Sequence, residues 1–399
     1  KELWTDRKKR GPFLLPRLAP LEGLLTLQDV ASGLSAAHLA GESIPAALGV
    51  LRDATEKINS ELPPIRSLPE LEQVLNFGTV FFNAASKHWR SLAAACRAAG
   101  AALGFPANIN VYVTAPGRSI STPVHSDHHD VLILQTSGQK RWRVFPPMPR
   151  HRGCAHPCHR GKHDDVVDEN ALGKPLIDVI LRSGESLFVP MGFLHATSTC
   201  TGEEASAEKL DASVHLTLGV SVADCGLTYG MLRGQLLHEL GIESDVNEED
   251  LDEDTFWAMY EPLHIGCLAP QNVTFTDLVQ HVATSVVRLL LCTDYEGAAI
   301  DEDMEELRTA ALCVASQWLQ IHNDLLDIYE HGYAEVVNAA GPGVVATGLS
   351  KRQGASAFHT RYRDQSASEL LAAAVDPAIS SATRSIDKYC AFLKAHVPQ

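Results

Sequence analysis

The chain has 399 residues, 45% of them hydrophobic and 21% charged, which supplies a sizeable core and excludes wholesale disorder. At roughly 150 residues per domain the length points to two or three domains, and no apolar run approaches a bilayer span, since even Val286 to Cys292 is broken by Arg288. A formal net charge of -16 excludes a protein that coats nucleic acid over its whole surface and suits a basic protein partner; a soluble chain without direct nucleic-acid or membrane contact is expected.

Nine cysteines, an odd number scattered from Cys96 to Cys390 with only Cys154 and Cys158 close together, suit a reducing, intracellular compartment better than a disulfide framework. The first residue is Lys1 rather than Met, so the chain reads as a fragment. The cluster Arg7, Lys8, Lys9 and Arg10 has two readings, a solvated basic tail or a nuclear address.

From about residue 20 to 105, helical stretches alternate with turn signals such as Leu62-Pro63-Pro64. Between Ser86 and Gly104 the apolar positions Trp89, Leu92, Ala93, Cys96, Ala99 and Leu103 recur at helical spacing. Then the texture changes. Asn108 to Thr114, Asp130 to Gln135, Arg141 to Phe145, Ser186 to Val189 and Ser213 to Val220 are short β-branched or aromatic runs between Gly, Pro and Asp, the pattern of an antiparallel sandwich or barrel.

Beyond residue 222 the period is helical again, with one stripe at Leu278, Val279, Val282, Val286, Leu289 and Leu290 and a second at Leu307, Ala311, Leu312, Ala315, Leu319, Leu325 and Leu326. These stripes serve either the chain's own core or an interface between chains. Glu243 to Asp254 reads as an acidic connection, Gly341 to Ser356 as a linker, and Ser366 to His396 as a last helical segment.

Chemistry concentrates at Pro123-Val124-His125-Ser126-Asp127 and Gly192-Phe193-Leu194-His195. An H-x-D pair at a strand end points an imidazole and a carboxylate to one side, and a histidine from a later strand completes one face of an octahedron. Such a two-histidine, one-carboxylate face leaves positions open for a co-substrate and dioxygen, which suits Fe(II) oxidation better than a closed zinc site. His195 lies 70 residues after His125, just past the strand-like Ser186 to Pro190. Lys140, 15 residues after His125, is placed to neutralise the distal carboxylate of a dicarboxylate co-substrate, or is an exposed strand lysine beside Arg141 and Arg143. Tyr112 and Asn110 offer hydrogen bonds to the same ligand, or satisfy backbone groups.

The ordered series Asn110 to Gly117, His125-Ser126-Asp127, Leu134 to Val144, Gly184-Glu185 to Pro190 and Gly192 to His195 resembles the JmjC oxygenases. Within them it is most similar to the cupin-like ribosomal oxygenases, a branch that includes proteins of the bifunctional lysine demethylase and histidyl hydroxylase type. The resemblance covers residues 75 to 222 and implies a double-stranded β-helix, hence an α+β chain: a basic tail and helical lead over 1–74, the catalytic domain over 75–222, a helical domain over 223–340 that would carry dimerisation, and a linker with a helical region over 341–399. It implies Fe(II) and 2-oxoglutarate as metal and co-substrate. His125, Asp127 and His195 would be the catalytic iron ligands, Lys140 would hold the 2-oxoglutarate tail, and Asn110, Tyr112 and Thr217 would line the pocket.

The activity so implied is hydroxylation of a protein side chain, foremost a histidine or other residue of a ribosomal protein. The alternatives are histone lysine demethylation by the same oxidation step, or a catalytically silent scaffold. A nuclear or nucleolar address, with cytoplasm as the alternative, and a homodimer formed through the helices behind the catalytic domain complete the expectation. A C-terminal winged-helix-like domain belongs to that resemblance too, although 341–399 shows no strand pair. Two departures stand out: Gly219 replaces a small hydroxyl residue, leaving Thr217 as the nearby hydroxyl, and Ser126 replaces the usual aromatic, with His128 and His129 beside it as loop residues. Cys154, His156, Cys158, His159 and His163 form a C-x-H-x-C-H group, which is either a zinc site or a polar loop.

Overall fold

The computed structural model describes residues 11–52, 56–103, 105–148, 160–162, 165–200, 211–220, 228–242, 256, 259, 275–293 and 304–338. The C-x-H-x-C-H group apart from its margin at 160–162, the cluster Arg7 to Arg10, the acidic connection Glu243 to Asp254 and everything after 338 lie outside the described residues.

In chain order the elements are β1 (Phe13–Leu15), α1 (Leu27–Leu39), β2 (Ala47–Arg52), β3 (Glu56–Glu61), α2 (Leu68–Leu75), β4 (Thr79–Phe82), α3 (Arg90–Leu103), β5 (Ala107–Thr114), β6 (Thr122–His125), β7 (Asp130–Ser137), β8 (Gln139–Phe145), β9 (Ile177–Arg182), β10 (Ser186–Val189), β11 (Leu194–Ser198), β12 (Ser213–Val220), α4 (Tyr229–Glu239), α5 (Phe275–Thr293) and α6 (Met304–Asn338). Local chemistry sets the helix starts. Thr26 and Asp29 exchange side-chain to backbone bonds in a capping box at α1, and Ser67 caps α2 with Pro69 in its first turn.

Two antiparallel sheets face each other. The larger runs β1-β10-β7-β12-β5-β4-β2-β3 and the smaller β6-β11-β8-β9. The strands β5 to β8 pass alternately between them, β9 stays beside β8 in the smaller sheet, and β10 to β12 alternate again, which is the double-stranded β-helix the motif order implies. The β-branched runs become strands at or within two residues of the limits expected of them. The N-terminal lead is less helical than its turn signals suggest: β2, β3 and β4 extend the larger sheet beyond β5, and β1 closes its other edge on β10. Short strands with mixed pattern, such as Glu56–Glu61 (EKINSE), gain stability from neighbouring strands rather than from their own alternation.

One core joins the larger sheet to the helices. Val80, Phe82, Ile109, Val111 and Val113 share a buried cluster with Leu92 of α3, Leu236 of α4 and described residues of both C-terminal stripes. Val279, Val282, Val286 and Leu290 of α5 and Leu307, Ala311, Leu312, Ala315 and Leu319 of α6 are buried within this chain, so these residues serve its own core. Tyr333 ties α6 to the sheet: its hydroxyl donates to the Ala107 carbonyl at 2.8 Å and accepts from Ser86 Oγ at 3.2 Å. No described helix is long and apolar enough to cross a membrane.

Candidate metal centre

The site lies between the sheets, at the end of β6. His125 is the last residue of β6 and sits directly opposite His195 in the pairing of β6 with β11. Asp127 follows in the turn to β7. Two bonds hold that turn to the turn between β10 and β11: the Gly192 N–H donates to the Asp127 carbonyl at 2.9 Å, and the Met191 N–H donates to Asp130 Oδ1 at 2.7 Å. Gly192 adopts φ 82°, which favours glycine, so the turn that delivers His195 depends on it.

One nitrogen from each histidine and one Asp127 oxygen lie within 4.8 Å of one another. His125 Nδ1 is paired with the Pro123 carbonyl at 2.9 Å and His195 Nδ1 with the Phe193 carbonyl at 3.2 Å, in both cases two residues back. This arrangement fixes each ring and leaves Nε2 for the centre, as in metal-ligating histidines whose other nitrogen is held by a carbonyl. His195 Nε2 stands 3.6 Å from Asp127 Oδ2, close to the ~3 Å that separates adjacent corners when ligand bonds are about 2.1 Å. Among the described residues this is the cluster whose donors suit a divalent metal.

Charge is arranged for ligation. Burial alone would raise the Asp127 carboxyl, but Lys162, then His125, His195 and His129, hold it well below the usual carboxylate range. Burial lowers His195, with Asp127 and the Phe193 carbonyl opposing, so its imidazole favours the neutral, ligating form.

An open cavity adjoins the triad, and Tyr112, Trp142, His215 and Thr217 are among the residues lining it. Lys140 is fully buried on β8, its Nζ donating to Thr114 Oγ1 at 3.2 Å. That excludes the exposed-lysine reading and puts the cation beside His215, whose protonation Lys140 opposes after burial. Thr217 and Tyr112 line the cavity. Asn110 does not line the cavity. Its Oδ1 accepts the Ala84 N–H at 2.8 Å, where Ala84 adopts φ 48°, so it stabilises a left-handed turn and pairs with the Tyr112 hydroxyl.

Four residues of the site had no signal in spacing. His215 stacks on Tyr112 with centroids 4.9 Å apart and planes 5° apart, and its buried Nδ1 has no hydrogen-bond partner. Trp142 lies edge-on to His215 at 5.3 Å. Thr114 holds Lys140, and Lys162 contacts Asp127 Oδ1. Gly219 also finds its reason: an added Cβ would stand 2.9 Å from His129 Nε2, so the missing side chain leaves room for that imidazole.

A paired imidazole and carboxylate at the small sheet's edge, met by a second imidazole from the adjacent strand β11, define a cupin-type metal centre. Residues 83–222 match the JmjC domain family. The chain is 26% identical over 196 residues to the "Bifunctional lysine-specific demethylase and histidyl-hydroxylase NO66" of Drosophila pseudoobscura pseudoobscura, covering 48% of this chain and 18% of that protein. It is 36% identical over 110 residues to "Ribosomal oxygenase 2" of Rattus norvegicus, covering 27% of this chain and 20% of that protein. The chain thus spans about a fifth of the length of these relatives. Among solved structures, the Escherichia coli ribosomal oxygenase YcfD in complex with cobalt and 2-oxoglutarate is 17% identical with a TM-score of 0.37, covering 77% of this chain and 68% of that one.

Proposed function

We propose that the chain is an Fe(II)- and 2-oxoglutarate-dependent dioxygenase that hydroxylates a protein side chain, foremost a histidine of a ribosomal protein. The observation that carries this reading is the convergence of His125, Asp127 and His195 beside an open cavity, since two imidazoles and one carboxylate hold a metal by one face only. Ferrous iron with 2-oxoglutarate and dioxygen supplies insertion of oxygen into a C–H bond, with succinate and carbon dioxide as co-products.

The protein's part is placement and charge. The Pro123 and Phe193 carbonyls hold both imidazoles in the ligating tautomer. Lys140, buried and braced by Thr114, offers a fixed cation to the far carboxylate of 2-oxoglutarate, where low dielectric strengthens the pairing. Thr217 and Tyr112 contribute hydroxyls to the same wall, while Val131, Ile133 and Trp142 give the cavity an apolar side that limits water. Asn110 supports Tyr112 from behind.

The net charge of -16 favours a basic substrate surface, as on a ribosomal protein or histone. Histone lysine demethylation stays the alternative, because the same site serves an N-methyl carbon. Arg7 to Arg10 favours a nuclear or nucleolar address. A homodimer is proposed through faces of the 223–340 helices other than the stripe already spent in the core.

The test is incubation of purified chain, ferrous iron and 2-oxoglutarate with ribosomal proteins and histones, read by mass spectrometry and succinate release. A gain of one oxygen on a side chain supports hydroxylation, and loss of methyl groups from histone lysine supports the alternative. No iron-dependent succinate from folded, iron-loaded protein with any substrate favours the silent scaffold.

A further inference from the structure

Residues 160–162 reach the metal centre from the long connection between β8 and β9, outside the barrel strands. They are seated on the H-x-D turn by a set of contacts that leaves little slack. Ser126, fully buried, donates its N–H to the Arg160 carbonyl at 2.9 Å, and its Oγ accepts the Arg160 N–H at 2.8 Å. Gly161, at φ 71°, lies so close that an added Cβ would stand 2.2 Å from the Val124 carbonyl oxygen and 2.8 Å from His125 Cα. Asp165 fastens the far side, taking the Arg160 guanidinium at 2.6 and 3.1 Å and the Gly161 N–H at 2.9 Å. Ser126 is thus explained: a hydroxyl there accepts the incoming strand, where an aromatic would exclude it.

The segment's third residue places its ammonium on Asp127 Oδ1, while Oδ2 is the oxygen turned to His195 Nε2 at 3.6 Å. We propose that Lys162 is a positioning residue that holds the outward oxygen of Asp127, so that this carboxylate ligates through Oδ2 alone and the coordination face stays open for co-substrate. A carboxylate without that partner is free to rotate and chelate the metal through both oxygens, which takes up a position that 2-oxoglutarate needs. Lys162 acts through Asp127 and touches neither metal nor substrate. Its charge also opposes a divalent cation close by, so it trades metal affinity for an open face. The inference rests on the triad holding a metal.

The experiment titrates Co(II) into the wild-type chain, Lys162→Met and Lys162→Arg, following the visible spectrum and calorimetry, then titrates 2-oxoglutarate into each loaded protein. Lys162→Met is expected to bind Co(II) about tenfold more tightly, with a changed spectrum, and 2-oxoglutarate about tenfold more weakly. Lys162→Arg should restore both, and thermal melting should show the variants folded. Unchanged affinities and spectrum in folded Lys162→Met overturn the proposal, as does weaker Co(II) binding that merely follows a lowered melting temperature. Should Lys162→Met not fold, Lys162→Gln is read in the same way. Failure of wild type to bind Co(II) would instead remove the metal-centre reading beneath it.

Discussion

His125 and His195 face each other across an antiparallel strand pair, ring centroids 4.2 Å apart, although 70 residues separate them in the chain. The pairing of β6 with β11 is therefore what makes the two imidazoles one site, and Asp127 joins them because its backbone carbonyl accepts the Gly192 N–H of the opposite turn. Fold and ligand geometry are the same set of contacts here.

Lys140 tests the co-substrate pocket. Lys140→Met keeps the length of the buried side chain and removes its charge, so the concentration of 2-oxoglutarate needed for half-maximal succinate formation should rise at least about tenfold with a smaller change in kcat. An unchanged saturation curve would move the anchor elsewhere.

Gly161 tests the seating of the connection on the H-x-D turn. In Gly161→Ala the new methyl meets backbone, not a flexible side chain, and φ 71° is strained for alanine. A loss of about 2 kcal/mol in urea unfolding is expected. A variant as stable as wild type would mean that 160–162 is not held against β6.

Tyr333 tests the tie between helix and sheet. Tyr333→Phe leaves the buried Ala107 carbonyl and Ser86 hydroxyl without that partner and should cost about 1–2 kcal/mol, with 2-oxoglutarate affinity unchanged. A variant as stable as wild type would show that α6 gains its hold from apolar packing alone.

His88 predicts acid sensitivity. Burial, then the neighbouring Lys87, lowers it from 6.5 to about 4. The unfolded chain takes up that proton first, so the contribution is fully present above about pH 6.5 and is lost as pH falls towards 4, by up to ~3 kcal/mol. His215, also held low by burial, adds to the same trend. His88→Gln should flatten the fall in melting temperature between pH 6.5 and 4; an identical pH profile would contradict it.

The barrel was legible where strands carry β-branched alternation, as at Ala107–Thr114 and Ser213–Val220, and where motif order matched a known family. β2 and β3 were not, because an edge hairpin takes its stability from pairing with β4 rather than from a local period. The convergence of His125, Asp127 and His195 was legible because H-x-D and a later histidine are spaced for coordination. Asn110 was read correctly only in its quieter sense, as a support for backbone. His215 and Lys162 carried no signal: the first looks like one residue of a strand, and the second depends on a glycine contact that exists only once the chain has folded.

The central claim is that His125, Asp127 and His195 share one metal ion. Isothermal titration with Co(II) under argon should give one equivalent bound per wild-type chain, and at least a hundredfold weaker binding, on the order expected for loss of a ligand, in His195→Ala and Asp127→Ala that melt normally. Equal stoichiometry and affinity in all three proteins would contradict it.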